Sequence, residues 1–273
     1  MKPQVSIVMP TFNNGRYLQE SIQSVLSQSF QDWELVVVND ASKDNSREIL
    51  QRFASQDPRI KVFHNEQNLR IVKTLNRGLD LAQADLIARL DGDDYWSDNE
   101  KLRQQVDFLN SHPDYGMIGS WGTAMDENGK YLFDLKFPST DAGIRSQFLM
   151  RNCFIHSSLV FRKKLVLDLG GYVMTEGYIE DYELWLKLGM KCKFALIPKI
   201  MVSYRINSVG LTQSNALPQL QAFINLSKKH RKDYPNYRKA QIKLFFQKLY
   251  LKYFGTVRYN SLKLLVQNFY EKN

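Results

Sequence analysis

Three carboxylates stand within four residues, Asp91-Gly92-Asp93-Asp94, directly after the apolar run Leu86-Ile87-Ala88-Arg89-Leu90. If that run is a strand, the acids sit at its carboxyl end, the edge at which open α/β sheets bind ligands. Clustered carboxylate oxygens suit a hard divalent cation, Mg²⁺ or Mn²⁺, that bridges to the phosphates of a nucleotide. A solvated acidic turn or a structural Ca²⁺ loop would use the same residues, so the pattern needs company.

Two earlier segments provide it. Val5-Ser6-Ile7-Val8-Met9 runs into Pro10-Thr11-Phe12-Asn13-Asn14, and Leu35-Val36-Val37-Val38 runs into Asn39-Asp40-Ala41-Ser42-Lys43-Asp44. The first loop can cradle a nucleobase, and Asp40 can accept a hydrogen bond from a base N–H. Asn and Asp after strands are also ordinary turn formers and helix caps, the simpler reading for Asn13 and Asp44. Further on, Glu180-Asp181 opens the run Tyr182 to Leu188. Asp181 there is either a general base or an acid favoured by the amino-terminal end of a helix dipole. His156, near an apolar strand, reads on its own as a hydrogen-bonded structural histidine.

The elements that must position these residues alternate short β-rich runs with amphipathic stretches, the pattern of βαβ units feeding a parallel sheet. Strands are expected at Val5 to Met9, Glu34 to Val38, Ile60 to Phe63 and Leu86 to Leu90. Helices are expected at Arg16 to Gln28, Asn45 to Ala54, Val72 to Ala82 and Leu102 to Leu109. Two β-like runs around Asp126-Glu127-Asn128-Gly129 predict a hairpin, since an Asn-Gly step favours a tight turn. Ser158 to Phe161 reads as a strand, Tyr182 to Leu188 as a helix with Trp185 on its apolar side, and Lys193 to Ile197 with Met201 to Tyr204 as a closing strand pair.

The chain of 273 residues, 44% hydrophobic, can bury one substantial core. Its formal charge is +9, yet residues 220–273 hold 12 Lys and Arg against two acids, so the rest is nearly neutral. That distribution argues against nucleic acid as partner and for an appended interaction segment. We divide the chain into a catalytic body, 1–217, and a basic, amphipathic helical segment, 218–273. In the segment, Ile242, Phe245, Phe246, Leu249 and Tyr253 share one helical stripe. Either the stripe lies on an anionic membrane or it packs on the body behind a solvated lysine face. The apolar runs are too short to span a membrane and no signal-peptide pattern opens the chain, so a cytosolic enzyme, peripheral at most, is expected. Cys153 and Cys192 read as reduced thiols.

Taken in order, Val5 to Asn13, Val38 to Asp44, Arg89 to Asp94, Gly170-Gly171-Tyr172 and Glu180-Asp181-Tyr182-Glu183-Leu184-Trp185 resemble the family 2 glycosyltransferases over about the first 210 residues. The resemblance implies an α/β GT-A fold, Rossmann-like and nucleotide-sugar-binding, with a mixed, mostly parallel central sheet. It implies an inverting, metal-dependent enzyme using Mn²⁺ or Mg²⁺ to transfer one sugar, with a UDP-hexose as default donor. The acceptor is then a hydroxyl of a glycan or lipid-linked molecule in bacterial-type surface polysaccharide synthesis. Position by position, it implies Thr11, Phe12, Asn13, Asp40 and Arg70 at the nucleotide, Asp91 at the ribose and Asp93 on the metal. Asp181 becomes the base, and Asp94, Trp96, His156 and Glu180 candidates for the sugar and acceptor pocket.

The chain departs from the family pattern at Arg70, where many relatives have Gly, and at Asn207, where histidine is frequent. No Gln-x-x-Arg-Trp motif follows the base, which points to transfer of a single sugar and away from a processive synthase. The rival readings are a catalytically inactive nucleotide-binding module and a polyprenyl-phosphate sugar synthase. A dehydrogenase is disfavoured, because no Gly-x-Gly-x-x-Gly turn follows the first strand.

Overall fold

The computed structural model describes residues 2–253 except 176, 178 and 208–215. The first half winds as its periodicity predicts. Strands β1 (Val5–Thr11), β2 (Trp33–Asn39), β3 (Ile60–His64) and β4 (Leu86–Arg89) alternate with helices α1 (Gly15–Leu26), α2 (Ser46–Gln56) and α3 (Arg70–Leu81). β1 and β2 are buried throughout, which explains why they read as continuous apolar runs instead of alternating ones.

The order β3-β2-β1-β4 is parallel throughout. After β1 the chain builds outward through β2 and β3, then returns to place β4 on the other side of β1. The crevice between the carboxyl ends of β1 and β4 is therefore the switch point of the sheet, where ligands bind. Thr11 ends one of these strands, and the Asp91 loop follows the other.

Beyond β4 the sheet continues through β8 (Val160–Arg162), β6 (Tyr115–Met125), β9 (Lys193–Arg205) and β5 (Tyr95–Trp96), with β7 (Tyr131–Leu135) paired to β6. Parallel and antiparallel ladders are mixed, and most paired residues lie in the parallel ones. The expected hairpin joins β6 to β7, its turn closed by Gly129 in the left-handed region at φ 84°. The expected closing pair of strands is instead one strand, β9. Pro198 has no N–H for the ladder, and the register against β6 passes from Ile197 to Ile200 while β6 advances one residue, so the proline is absorbed in a bulge.

Apolar side chains cover both sheet faces. One cluster joins Val8, Leu75, Leu79, Phe161 and Phe194 to Trp185 of α7 (Glu180–Leu188), and the other joins Ile7, Met9, Leu18, Ile22 and Leu35 to Val106 of α4 (Lys101–Ser111). Helices α5 (Asp141–Gln147) and α6 (Lys163–Asp168) were not legible as separate elements. Cys153 and Cys192 are free thiols.

Two helices complete the described chain, one over Ala216–Lys229 and one over 237–253. They pack together through Leu220, Leu244 and Leu251. The stripe of Ile242, Phe245, Phe246 and Tyr253 is not the packed face: these four remain 57% to 72% exposed. Residues 254–273 of the basic segment lie outside the described residues.

Candidate active site

The sheet edge that carries the expected nucleotide-binding residues is built from loops that lock one another. Asn13, at φ 55°, receives Lys43 N–H on Oδ1 at 2.8 Å, while its own N–H donates to Ser42 Oγ at 2.9 Å. Asp44 Oδ2 accepts Gly15 N–H at 2.8 Å and Oδ1 accepts Ser46 N–H at 3.0 Å, so one carboxylate serves the first turns of α1 and α2. Asn13 and Asp44 therefore act as turn former and cap. Ala41 and Arg70 also hold left-handed backbone, at φ 60° and 66°. Non-glycine residues in that region are strained, and here three of them follow β1, β2 and β3 at the same sheet edge.

Asp40 is buried, and its carboxylate already serves this scaffold. Oδ1 accepts Asn65 Nδ2 at 2.5 Å and Leu69 N–H at 2.8 Å, and Oδ2 accepts Arg70 N–H at 2.9 Å. It thus fixes the turn that presents the exposed Arg70. Phe12 is 44% exposed and offers an aromatic face at the mouth. Thr11 Oγ1 is buried without a hydrogen-bond partner. A Cβ on Gly92 would stand 2.8 Å from that oxygen, so the acidic loop lies directly on the end of β1.

The four residues Asp91 to Asp94 diverge. Asp91 pairs with the fully buried Arg89, Oδ1 to Nη2 at 2.6 Å. Burial would raise its carboxyl, but the Arg89 charge holds it below the usual range. Asp93 is pushed up to about 6 by burial and by the Asp91 charge, and its Oδ2 accepts Asn207 Nδ2 at 2.7 Å. Asp94 points inward: Ser157 Oγ donates to Oδ2 at 2.5 Å and Arg205 N–H to Oδ1 at 2.8 Å. Burial, then the Asp93 and Asp91 charges, raise it well above its ordinary value. Asp94 therefore fastens the loop and does not line a pocket. Trp96 is likewise core: it is 2% exposed, its Nε1 donates to Ser157 O at 2.8 Å, and Lys101 Nζ lies 4.2 Å from its ring centre.

His156 Nε2 takes the Arg89 Nε–H at 3.1 Å and lies 2.9 Å from the Tyr172 hydroxyl. Because a guanidinium can only donate, Nε2 is an acceptor and the ring proton sits on Nδ1. Burial, then the Arg89 charge, depress this imidazole to about 3, so it stays neutral and buttresses Arg89. Tyr172 is set by the two glycines before it, at φ 86° and 69°. A Cβ on Gly171 would meet Asn76 Oδ1 at 2.6 Å, the atom that accepts Tyr172 N–H.

α7 begins at Glu180. Asp181 is half-buried, and its Oδ2 accepts Asn152 Nδ2 at 3.1 Å. Burial above all, with the Asp91 charge adding, pushes it up to about 6. Glu180 is pushed to about 7 by burial and by Asp181, and its Oε2 is buried without a partner. Asp91, Glu180 and Asp181 all bear on Tyr172 electrostatically, so these three carboxylates share one locality.

Among the described residues no three His, Cys, Asp or Glu side chains form a ready cation cage. The donor set still fits Mg²⁺ or Mn²⁺. Such ions take one or two carboxylates and fill their shell from phosphate and water, and the mutual repulsion of Asp91 and Asp93 is relieved by a nearby cation.

The sequence profile of Glycosyl transferase family 2 matches residues 6–170. The chain is a family 2 glycosyltransferase. Among relatives of the transferase, the EpsE protein of Bacillus subtilis (strain 168) is 36% identical over 188 residues, which cover 68% of this chain and 66% of that one. The O-antigen biosynthesis glycosyltransferase WbnJ of Escherichia coli is 30% identical over 220 residues, covering 78% and 83%. A crystal structure of S. aureus TarS 1-349 in complex with UDP-GlcNAc superposes with TM-score 0.69 at 18% identity, covering 92% of this chain and 73% of that chain. The mannosyltransferase PcManGT from Pyrobaculum calidifontis, in complex with GDP-Man and Mn2+, gives 0.66 at 18% identity, covering 96% and 74%. The fold of the transferase is GT-A.

Sequence reading missed three residues that support the candidate site. Arg205 is buried, pairs with Glu20 at 2.7 Å, donates to Asp93 O at 2.9 Å and lies 4.3 Å from the Tyr17 ring centre. Arg89 carried a signal, a charge inside an otherwise apolar strand. Asn152 carried none, since it reaches Asp181 only through the fold.

Proposed function

We propose that the transferase moves a single sugar from a nucleotide-sugar donor, by default a UDP-hexose, to a hydroxyl of a glycan or lipid-linked acceptor in surface polysaccharide synthesis. The observation that carries this reading is Asp181, a carboxyl raised to about 6 within the electrostatic reach of Asp91. A base near this value is ionised at neutral pH yet basic enough to take a proton from an attacking hydroxyl. The names of WbnJ and of the amylovoran biosynthesis glycosyltransferase AmsE of Erwinia amylovora support the polysaccharide assignment.

In this reading the base stacks on Phe12, and Thr11, Asn13, Asp40 and Arg70 frame it. Asp91, oriented by Arg89, takes the ribose. Asp93, steadied by Asn207, holds Mn²⁺ or Mg²⁺, which when bound neutralises charge on the leaving diphosphate. Asp181 deprotonates the acceptor hydroxyl on the face opposite the leaving group. Attack in line then inverts the anomeric carbon, so an α-linked donor yields a β-glycoside. Glu180, its carboxyl raised to about 7, carries less than a full negative charge beside Asp181 near neutrality.

The test is turnover and binding across UDP-, GDP- and dTDP-sugars with Mn²⁺ or with chelator, for wild type, Asp93→Ala and Asp181→Asn. Metal-dependent turnover of one donor should be lost in both variants, with binding kept in Asp181→Asn. Absence of nucleotide binding under every metal condition would overturn the reading and leave a binding module without catalysis.

A further inference from the structure

The helix over 237–253 has two apolar faces on opposite sides. Ala240, Leu244 and Leu251 form the buried one, and the latter two meet Leu220 of the preceding helix. Ile242, Phe245, Phe246 and Tyr253, spaced at helical intervals, form the other and face solvent, at 61%, 57%, 63% and 72% exposure. Isolated exposed apolar residues need no explanation, but four on one helix face, three of them aromatic, do.

Its surroundings say what covers it. Residues 237–253 contain Arg238, Lys239, Lys243, Lys248 and Lys252 and no acid, and all five cations are exposed. At about 100° per residue, Arg238 and Lys239 project with the stripe, and Lys243 and Lys252 flank it on either side. Long basic side chains beside an aromatic stripe can reach phosphates while the rings enter the acyl boundary. A protein partner would need a groove of matching acids. A bilayer with anionic headgroups meets the pattern without further design. No described helix is long and apolar enough to cross a membrane, so the helix would lie along it.

We propose that this face docks the transferase on an anionic lipid surface. The docking helix is joined to the acceptor side. Phe223, which packs in the same cluster as Leu244 and Leu251, stacks on Tyr182 with ring centres 4.3 Å apart and planes 7° apart. Lys229 of the same helix bonds Glu183 of α7 at 2.9 Å. Tyr182 follows Asp181 directly, so the membrane-facing unit and the acceptor base are held as one piece. An acceptor carried in that bilayer is the consequence, a step that rests on Asp181 as the base; the docking does not.

The experiment is flotation of the full chain with vesicles of neutral phosphatidylcholine, and with vesicles about one third phosphatidylglycerol, at low and high salt. Binding should be at least about tenfold tighter on the anionic vesicles and weaken with salt. Phe245→Ser with Phe246→Ser should abolish it, and Lys239→Gln, Lys243→Gln and Lys252→Gln together should weaken it by about tenfold or more. All variants should retain wild-type unfolding temperature, nucleotide binding and donor hydrolysis. Equal binding to both vesicles, or none, overturns the proposal. So does a concentration-dependent dimer that Phe245→Ser with Phe246→Ser dissociates, which would give the stripe to a second copy. Vesicle binding by a chain that binds no nucleotide sugar under any metal condition would overturn the transfer reading and leave the docking intact.

Discussion

Arg89 and Asp91, two residues apart, meet at 2.6 Å with the guanidinium wholly buried and the carboxylate side chain 27% exposed. The pair ties the end of a buried strand to the mouth of the site. Arg89 also donates to Val8 O and His156, so the turn after β4 has little freedom.

Removing one partner of a buried ion pair leaves a charge without compensation. Arg89→Leu is expected to lower the unfolding free energy in urea by about 3–5 kcal/mol. Asp91→Asn should be less disruptive, and the double variant should lose clearly less than the sum of the two. Strict additivity would mean the two side chains act independently.

The pH dependence of transfer should report Asp181. With its carboxyl at about 6, kcat/KM should fall about tenfold per pH unit below that value and level off above it. Asn152 donates to this carboxylate and lowers its pKa. Asn152→Ala should move the acid limb to higher pH, and an unmoved limb would show that some other group is titrating.

Glu180 makes a separate prediction about stability. Its folded value, about 7, lies above the ordinary 4.5, so the native state keeps this proton longer than the unfolded chain. Stability from this group is then complete at low pH and lost as pH rises through about 7, with a slope of at most about 1.4 kcal/mol per pH unit. Glu180→Gln should flatten urea-unfolding profiles between those limits. An unchanged slope would locate the ionisation elsewhere.

Gly92→Ala places a methyl 2.8 Å from Thr11 Oγ1 and 3.1 Å from Asn14 Nδ2. The acidic loop must lift from β1, at about 1–3 kcal/mol in stability, and the Michaelis constant for donor should rise. Thr11→Ala in the same chain should restore part of the stability, since the nearest obstacle is gone. No recovery would mean that the strain lies in Asn14 or in Thr11 Cβ, which also stands 3.1 Å from the added methyl.

Strand ends carrying Thr11, Asp40 and Asp91 were legible because each motif is contiguous and its apolar run marks the sheet. Orientation was less so. Asp94 neighbours Asp93 in sequence yet turns inward, because Ser157 and Arg205, far along the chain, supply its hydrogen bonds. Trp96 reads equally well as pocket wall or core until Ser157 O claims its N–H. In the helix over 237–253, periodicity selected the stripe with the largest apolar residues. The preceding helix receives Leu244 and Leu251 on Leu220, and Ala240 joins the core of the body, so burial follows available partners, not side-chain size. The bulge at Pro198 was hidden because a proline inside β-like sequence equally marks the end of a strand.

The bond from Arg205 N–H to Asp94 spans 111 residues, and that from Asn207 to Asp93 spans 114. Contacts this distant in sequence close late, after the local βαβ units have paid their entropy of ordering. On a ribosome, strands β1 to β4 emerge complete while the acidic loop still lacks its clasp. With Asp93 in its proposed role, competence to engage donor arrives only once residue 207 is out of the exit tunnel, and a chain stalled before β9 would hold at most its parallel β1–β4 half without acquiring a working site.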